Sequence, residues 1–284
     1  MADVMSTGNG PFGIRFWGAR GSIPVSGAEY RVYGGDTSCF EVTVGSRSFI
    51  IDAGSGLRRL GQAIMQAGTS EATLLLTHLH LDHIIGLSAF KPLFSRQGRV
   101  AIHAPAPGGA NLPAVLARLF AEPFFPIAFE RLPCRLDCSS FVPGATLSLG
   151  ETAVRTIALR HGGGASGYRF DHAGHALVIL TDHEHDGAEP EQGLVAFCRG
   201  ADLVVYDGMW DETLDFEAHR GWGHSSWQAG LRLIAAAGAG RLACTHHAPN
   251  HDDTELSERE ARLKAIQPAS FFIRQDESVI LLPR

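Results

Sequence analysis

An apolar run at 73–76 leads directly into Thr77-His78-Leu79-His80-Leu81-Asp82-His83. A strand there would deliver four potential metal ligands into a turn at its carboxyl end, the kind of loop on a rigid scaffold that carries chemistry. His78 and His80, two apart on extended backbone, point the same way. Asp82 and His83, beyond the bend, can face a second ion, so one short loop could serve two metals. Histidines solvated at a strand end would explain one or two imidazoles, not this set. Imidazole with carboxylate suits zinc, manganese or iron, and the spacing does not choose among them. The ligand type is also abundant, with 14 histidines among 284 residues and no tag-like run.

A second constellation is Gly221-Trp222-Gly223-His224-Ser225-Ser226-Trp227-Gln228. Ser225 followed by Gln228 reads as a capping box opening a helix, with His224 just before it. That would place an imidazole and free backbone N–H groups at a positive helix end, where an anion such as phosphate is favoured. A packing role beside the cap is the plainer alternative for His224. Arg20, in Gly18-Ala19-Arg20-Gly21-Ser22, could contact a phosphate or simply hold its loop. Of the five cysteines only Cys134 and Cys138 are close, and Pro133 with the lack of a second pair spoils a zinc-cluster spacing, so they read as ordinary thiols.

The elements that must position these groups follow from the pattern of apolar residues. Short β-branched runs at 14–17, 39–44, 48–52, 73–77, 100–103, 152–159, 167–171, 176–181, 203–206 and 242–245, and two more after Pro268, read as strands. Helical periodicity covers 57–66, 112–119, 226–237 and 255–266. Hairpin-like strands come first, then strands alternate with helices. This predicts an α/β sandwich with two sheets inside and helices outside, residues 1–284 forming one domain with no low-complexity linker. Residues 103–143, rich in proline and phenylalanine, read as an insertion that walls a pocket or forms a dimer surface.

Composition narrows the partners. The chain is 45% hydrophobic and 19% charged, as a soluble globular protein should be. Net charge is −6, and Lys91 and Lys264 are its only lysines, which disfavours a long nucleic acid as partner. Residues 1–10 show neither a basic nor an apolar targeting segment, and no apolar stretch approaches the ~20 residues of a membrane span, so a cytoplasmic protein is expected.

Further pieces appear in the order of a known family. The His-x-His-x-Asp-His loop resembles the signature of the metallo-β-lactamase superfamily, and the resemblance spans about residues 12–282. It implies a four-layer αββα sandwich. It also implies that His161, before Gly162-Gly163-Gly164, joins His78 and His80 at a first metal, and that His246 joins Asp82 and His83 at a second. Asp182 would bridge both, and Asp52 in Ile51-Asp52-Ala53-Gly54 would support the site from behind. Asp186 competes with Asp182, and His247 competes with His246 or sits behind it. His183 and His185 are expected in the loop or behind the ligands.

Gly-His-Ser ahead of a helix, followed by a strand ending in Thr-His, resembles the branch containing ribonuclease Z and cyclic nucleotide phosphodiesterases. There the histidine donates to phosphate and protonates the leaving oxygen, the role implied for His224. Residues 16–24 and 33–39 are similar to a bacterial group near the cyclic phosphodiesterases. Asp182 follows His161 by only 21 positions, which leaves no room for the glycine- and proline-rich arm with which ribonuclease Z holds tRNA. The resemblance therefore implies a binuclear phosphodiesterase carrying two divalent ions, zinc first, manganese or iron otherwise. Its substrate would be a small phosphodiester, a cyclic nucleotide before others, with Asp82 and His224 in catalysis. Two divalent cations outweigh the ligand carboxylates, so an anionic ester would be attracted despite the acidic balance. A lactonase or thioesterase on the same metals, or a non-catalytic sensor, are the alternatives.

Overall fold

The computed structural model describes residues 10–109 and 111–281. The amino-terminal stretch on which the targeting argument rests lies, apart from Gly10, outside the described residues. In chain order, β1 (Phe12–Gly18), β2 (Cys39–Val44), β3 (Arg47–Ile51), β4 (Glu71–Leu75), β5 (Arg99–Pro105) and β6 (Arg135–Phe141) are successive neighbours in one sheet. A second sheet holds β7 (Thr146–Leu149), β8 (Thr152–Leu159), β9 (Ala165–His172), β10 (His175–Leu180), β11 (Leu203–Asp207), β12 (Leu242–Thr245) and β13 (Phe271–Phe272), and β14 (Ser278–Ile280) returns to pair with β1. The helices are α1 (Leu57–Gln66), α2 (Leu81–Ile84), α3 (Leu112–Ala117), α4 (Gln192–Cys198), α5 (Trp227–Ala237) and α6 (Asp253–Ile266).

Side-chain alternation along the strands builds the layers. On β10, Leu177 and Ile179 join Phe16, Phe40, Phe49 and Phe170 in a core between the sheets. The intervening Val178 and Leu180 pack with Leu194 of α4, Trp227 of α5 and Leu263 of α6. In the other sheet Leu74 and Ile102 face Leu57 and Leu60 of α1. Strands buried on both faces read as unbroken apolar runs, which is why β10 and β11 were legible without polar alternation. The result is the expected four-layer αββα sandwich. Among the described residues no helix is long and apolar enough to cross a membrane.

Strands β3 to β6 run parallel to one another, as do β10 to β13, and β8 runs the same way as β10 because both are antiparallel to β9. Their carboxyl ends therefore open along one edge of each sheet, and every residue singled out as a metal ligand follows such an end.

Three expectations change. Residues 103–143 are not one insertion: β5 continues to Pro105 and β6 pairs with it in parallel over seven residues, so only the connection between them is irregular. Strand β6 is polar because it lies at a sheet edge, and that hid it. Within the connection Phe120 and Phe129 are core, whereas Phe124, 85% exposed, is a side chain that a dimer through this stretch would cover. The helix cap also shifts by one residue. Ser226 caps α5, accepting from Ala229 N–H, while Ser225 Oγ donates to the His183 carbonyl. Trp227 N–H donates to the Trp210 carbonyl, so the Trp227 and Ala229 N–H groups at the start of α5 are engaged within the protein and not free for an anion.

Candidate metal centre

Six chain segments meet at the open edge. The four-residue α2 starts directly after His80, whose backbone is extended, and this bend brings Asp82 within 3.8 Å of His246 while His83 stays beside His78, ring centroids 4.3 Å apart. His161 follows β8, Asp182 follows β10, and His246 follows β12. Asp52, Asp182 and His246 all hold positive φ, at 60°, 59° and 63°. Left-handed backbone is uncommon outside glycine, and it clusters where the surrounding fold imposes it to aim a side chain.

The ligand-type atoms converge in overlapping groups: His78 with His80 and His161; His78 with His83 and Asp182; Asp82 with His83 and His246. His161 Nε2 lies 3.0 Å from His80 Nδ1 and 3.8 Å from Asp182 Oδ1. His83 Nε2 lies 3.2 Å from both Asp82 Oδ2 and Asp182 Oδ2, and His246 Nε2 lies 3.3 Å from Asp182 Oδ1. Four ligands around one zinc at about 2.1 Å would stand about 3.4 Å apart, so these separations fit two cations sharing Asp182. His78 Nε2 and His83 Nε2 are buried with no hydrogen-bond partner, a costly state for polar atoms that coordination would relieve.

Electrostatics agree with this fit. Burial, reinforced by the neighbouring His83, pushes His78 well below its ordinary value, which keeps it neutral as a ligand must be. Burial opposes the charge on Asp182, but His246, His83 and His78 outweigh it and hold the carboxyl well below the usual range. Burial likewise opposes a charged His83, yet Asp182, Asp82 and Asp52 raise it well above an ordinary imidazole. Such an excess of buried carboxylate is what divalent cations neutralise.

Residues behind the ligands fix their orientation. His83 Nδ1–H donates to Asp52 Oδ2 at 2.8 Å, and Thr77 N–H and Oγ1–H donate to the same carboxylate. His161 Nδ1–H donates to the Gly223 carbonyl at 2.9 Å. Both bonds leave Nε2 free to coordinate. A Cβ on Gly223 would stand 2.5 Å from His161 Nδ1, and one on Gly21 would stand 2.3 Å from the His246 ring. Ser22 N–H donates to Asp82 Oδ2 at 2.8 Å.

Comparison with known proteins bears on the same residues. The family model for the beta-lactamase superfamily domain matches residues 47–247, which include every ligand-type residue above. The chain belongs to the beta-lactamase superfamily. It is 25% identical to a ribonuclease Z of Bradyrhizobium over 82% of this chain and 91% of that one. The metallo-beta-lactamase fold protein YhfI of Bacillus subtilis superposes with TM-score 0.72 at 17% identity, covering 95% of this chain and all of that one. Human tRNase Z, short form, gives TM-score 0.65 at 17% identity over 94% of this chain and 98% of that one. These solved structures share the metallo-β-lactamase fold.

In this superfamily member His224 also faces the cluster. Its ring stacks on His246 with centroids 4.6 Å apart, and Nδ1–H donates to Asp207 Oδ2 at 2.8 Å. Burial opposes its charge, but Asp207, with Asp182 and Asp82, pushes His224 up to about 9. Asp207 is fully buried as the last residue of β11. Sequence reasoning missed it, although an aspartate ending the run 203–206 carries the same signal as Asp52 and Asp182. Glu184 was missed as well: its carboxylate accepts from Gly221 N–H and Gly223 N–H, fixing the loop that presents His224.

Other candidates lie elsewhere. Arg20 is 0% exposed and donates to the carbonyls of Gly34, Ala248 and His251, so it ties loops together and reaches no substrate. His247 turns away from His246, donating Nε2–H to the Ile273 carbonyl and stacking on Phe272. Asp186 is exposed and pairs with Arg160 at 3.0 Å. His183 is buried and accepts from Arg160 N–H, and His185 stacks on Phe216. Neither belongs to the groups that could hold a metal.

Proposed function

We propose that this protein is a two-metal hydrolase of a small phosphodiester, with a cyclic nucleotide as the foremost substrate. The observation that carries the reading is the Asp207–His224 pair beside Asp182 and His246, a proton donor placed against the ligand cluster. Zinc is the first metal, with manganese and iron also suited to imidazole and carboxylate donors. His78, His80 and His161 would hold one ion, Asp82, His83 and His246 the other, and Asp182 both. Bound cations would acidify the attacking water and offset charge on the phosphoryl oxygens.

The chain's own groups do the rest. Asp207 keeps Nδ1 of His224 engaged, so Nε2–H is the proton available to the substrate. The attacking water loses a proton to solvent as its oxygen forms the new P–O bond, the ester P–O bond breaks in line, and the departing alkoxide takes the Nε2 proton. Asp82, held by Ser22 N–H, orients the water. A small substrate is further supported by the segment from His161 to Asp182, where β9 and β10 make a tight hairpin and leave nothing to form an arm. The similarity to ribonuclease Z supports the bond class rather than tRNA as substrate.

The test is a screen of cyclic mono- and dinucleotides, linear diesters and bis(p-nitrophenyl) phosphate, with zinc, manganese and iron supplied separately. Turnover of a cyclic nucleotide is expected. Failure on every phosphodiester overturns the reading, and turnover of a lactone or thioester that survives His224→Ala would replace it with an ester hydrolase.

A further inference from the structure

A cavity of about 300 Å³ adjoins the cluster on the side of His78 and His80, at the small end of the roughly 300–1,000 Å³ range of ligand sites. Its walls include Leu79, Pro105, Pro143, Ala158 and Leu159, and among the described residues lining it none is Asp, Glu, Lys or Arg. Gly162 is among the lining residues. It lacks positive φ, and a Cβ there would meet no heavy atom within 4 Å. Neither backbone conformation nor packing requires glycine at that position, so what the missing side chain provides is open space. His224 is not among the lining residues.

We propose that this cavity seats the ester group that stays on phosphorus and selects an uncharged aryl or nucleoside group against one bearing a second phosphate. The proposal rests on the phosphodiesterase reading, since the leaving oxygen must face His224 and the retained group is then the one left to the His80 side. An apolar wall favours a neutral ring. A second phosphate there would lose water with no cationic side chain to pair with it.

The experiment compares three diesters with one leaving group: thymidine 5′-(p-nitrophenyl phosphate), its 3′-phosphorylated form, and methyl p-nitrophenyl phosphate. For the metal-loaded protein the nucleoside diester should exceed each of the other two about tenfold in kcat/KM, the size of a modest pocket contribution. Ala158→Phe and Gly162→Leu should each collapse the nucleoside-to-methyl ratio. Binding of adenosine to the metal-free protein, read by saturation-transfer NMR, should be lost in Ala158→Phe. Equal rates for the nucleoside diester and its 3′-phosphorylated form overturn the proposal, as do variants that scale all three substrates alike. If no diester is turned over but adenosine binding is lost in Ala158→Phe, the phosphodiesterase reading fails while the cavity keeps its ligand class.

Discussion

Asp82, His224 and Asp207 divide the proposed reaction between water and leaving group. Asp82→Asn should lower kcat by about a hundredfold or more and weaken the second ion, because an amide neither carries the charge nor orients water as a carboxylate does. Rates near wild type, measured with saturating metal, would refute that role. His224→Ala should slow alkyl leaving groups by about 10²–10⁴, the usual worth of a general acid, and p-nitrophenolate far less, since only an alkoxide needs a proton. Asp207→Asn should show the same leaving-group discrimination in weaker form, because Asp207 acts by holding Nδ1 of His224. Equal losses for both leaving groups would make His224 a phosphate-binding residue instead.

The loops and hairpins that carry these residues have their own tests. The 221–223 loop is clamped by Glu184, and Gly223 combines φ of 88° with close approach to His161. Gly223→Ala should tilt the His161 ring and weaken metal binding by about 10–100-fold, the range seen when groups behind a ligand are altered, as titration calorimetry would show. The turn between β9 and β10 is Ala173-Gly174, with φ of 50° and 84°. That conformation suits a two-residue hairpin but strains alanine. Ala173→Gly relieves the strain while freeing the unfolded chain, and Ala173→Asn, which tolerates the left-handed region, should stabilise by about 0.5–1 kcal/mol with activity intact. A lower denaturation midpoint for Ala173→Asn would contradict this account.

For the molecule as a whole, metal binding and folding are linked, because the cluster forms only when strand ends from both sheets come together. Saturating metal at about 1,000 times its Kd should contribute about 4 kcal/mol, so chelation should lower Tm by several degrees, measured by calorimetry with and without chelator. An unchanged Tm would mean that the four ligand-bearing segments do not bind an ion as a unit. The same construction makes the proposed attraction for an anionic ester depend on the metals, because the net charge of the chain is −6.

Much of this was legible in the sequence where the information is local. His78, His80, Asp82 and His83 share one strand exit, so local spacing alone shows that they can converge, although His83 groups with both His78 and Asp82. The core strands could be read because burial on both faces demands continuous apolar residues. Strand β6 and helix α4 escaped, one for its polar edge composition and the other for its short length. Asp207 was within reach, since it ends a recognisable strand, but a lone aspartate shows no partner in sequence. What only the tertiary structure decided involves groups far apart in the chain. Arg20 became a structural tie because carbonyls from residues 34, 248 and 251 close around it. Of His246 and His247 it is His246, on left-handed backbone, whose ring faces Asp182, while His247 bonds the Ile273 carbonyl. Spacing along the chain sets which side chains can point together, whereas burial and long-range hydrogen bonds set what each of them meets.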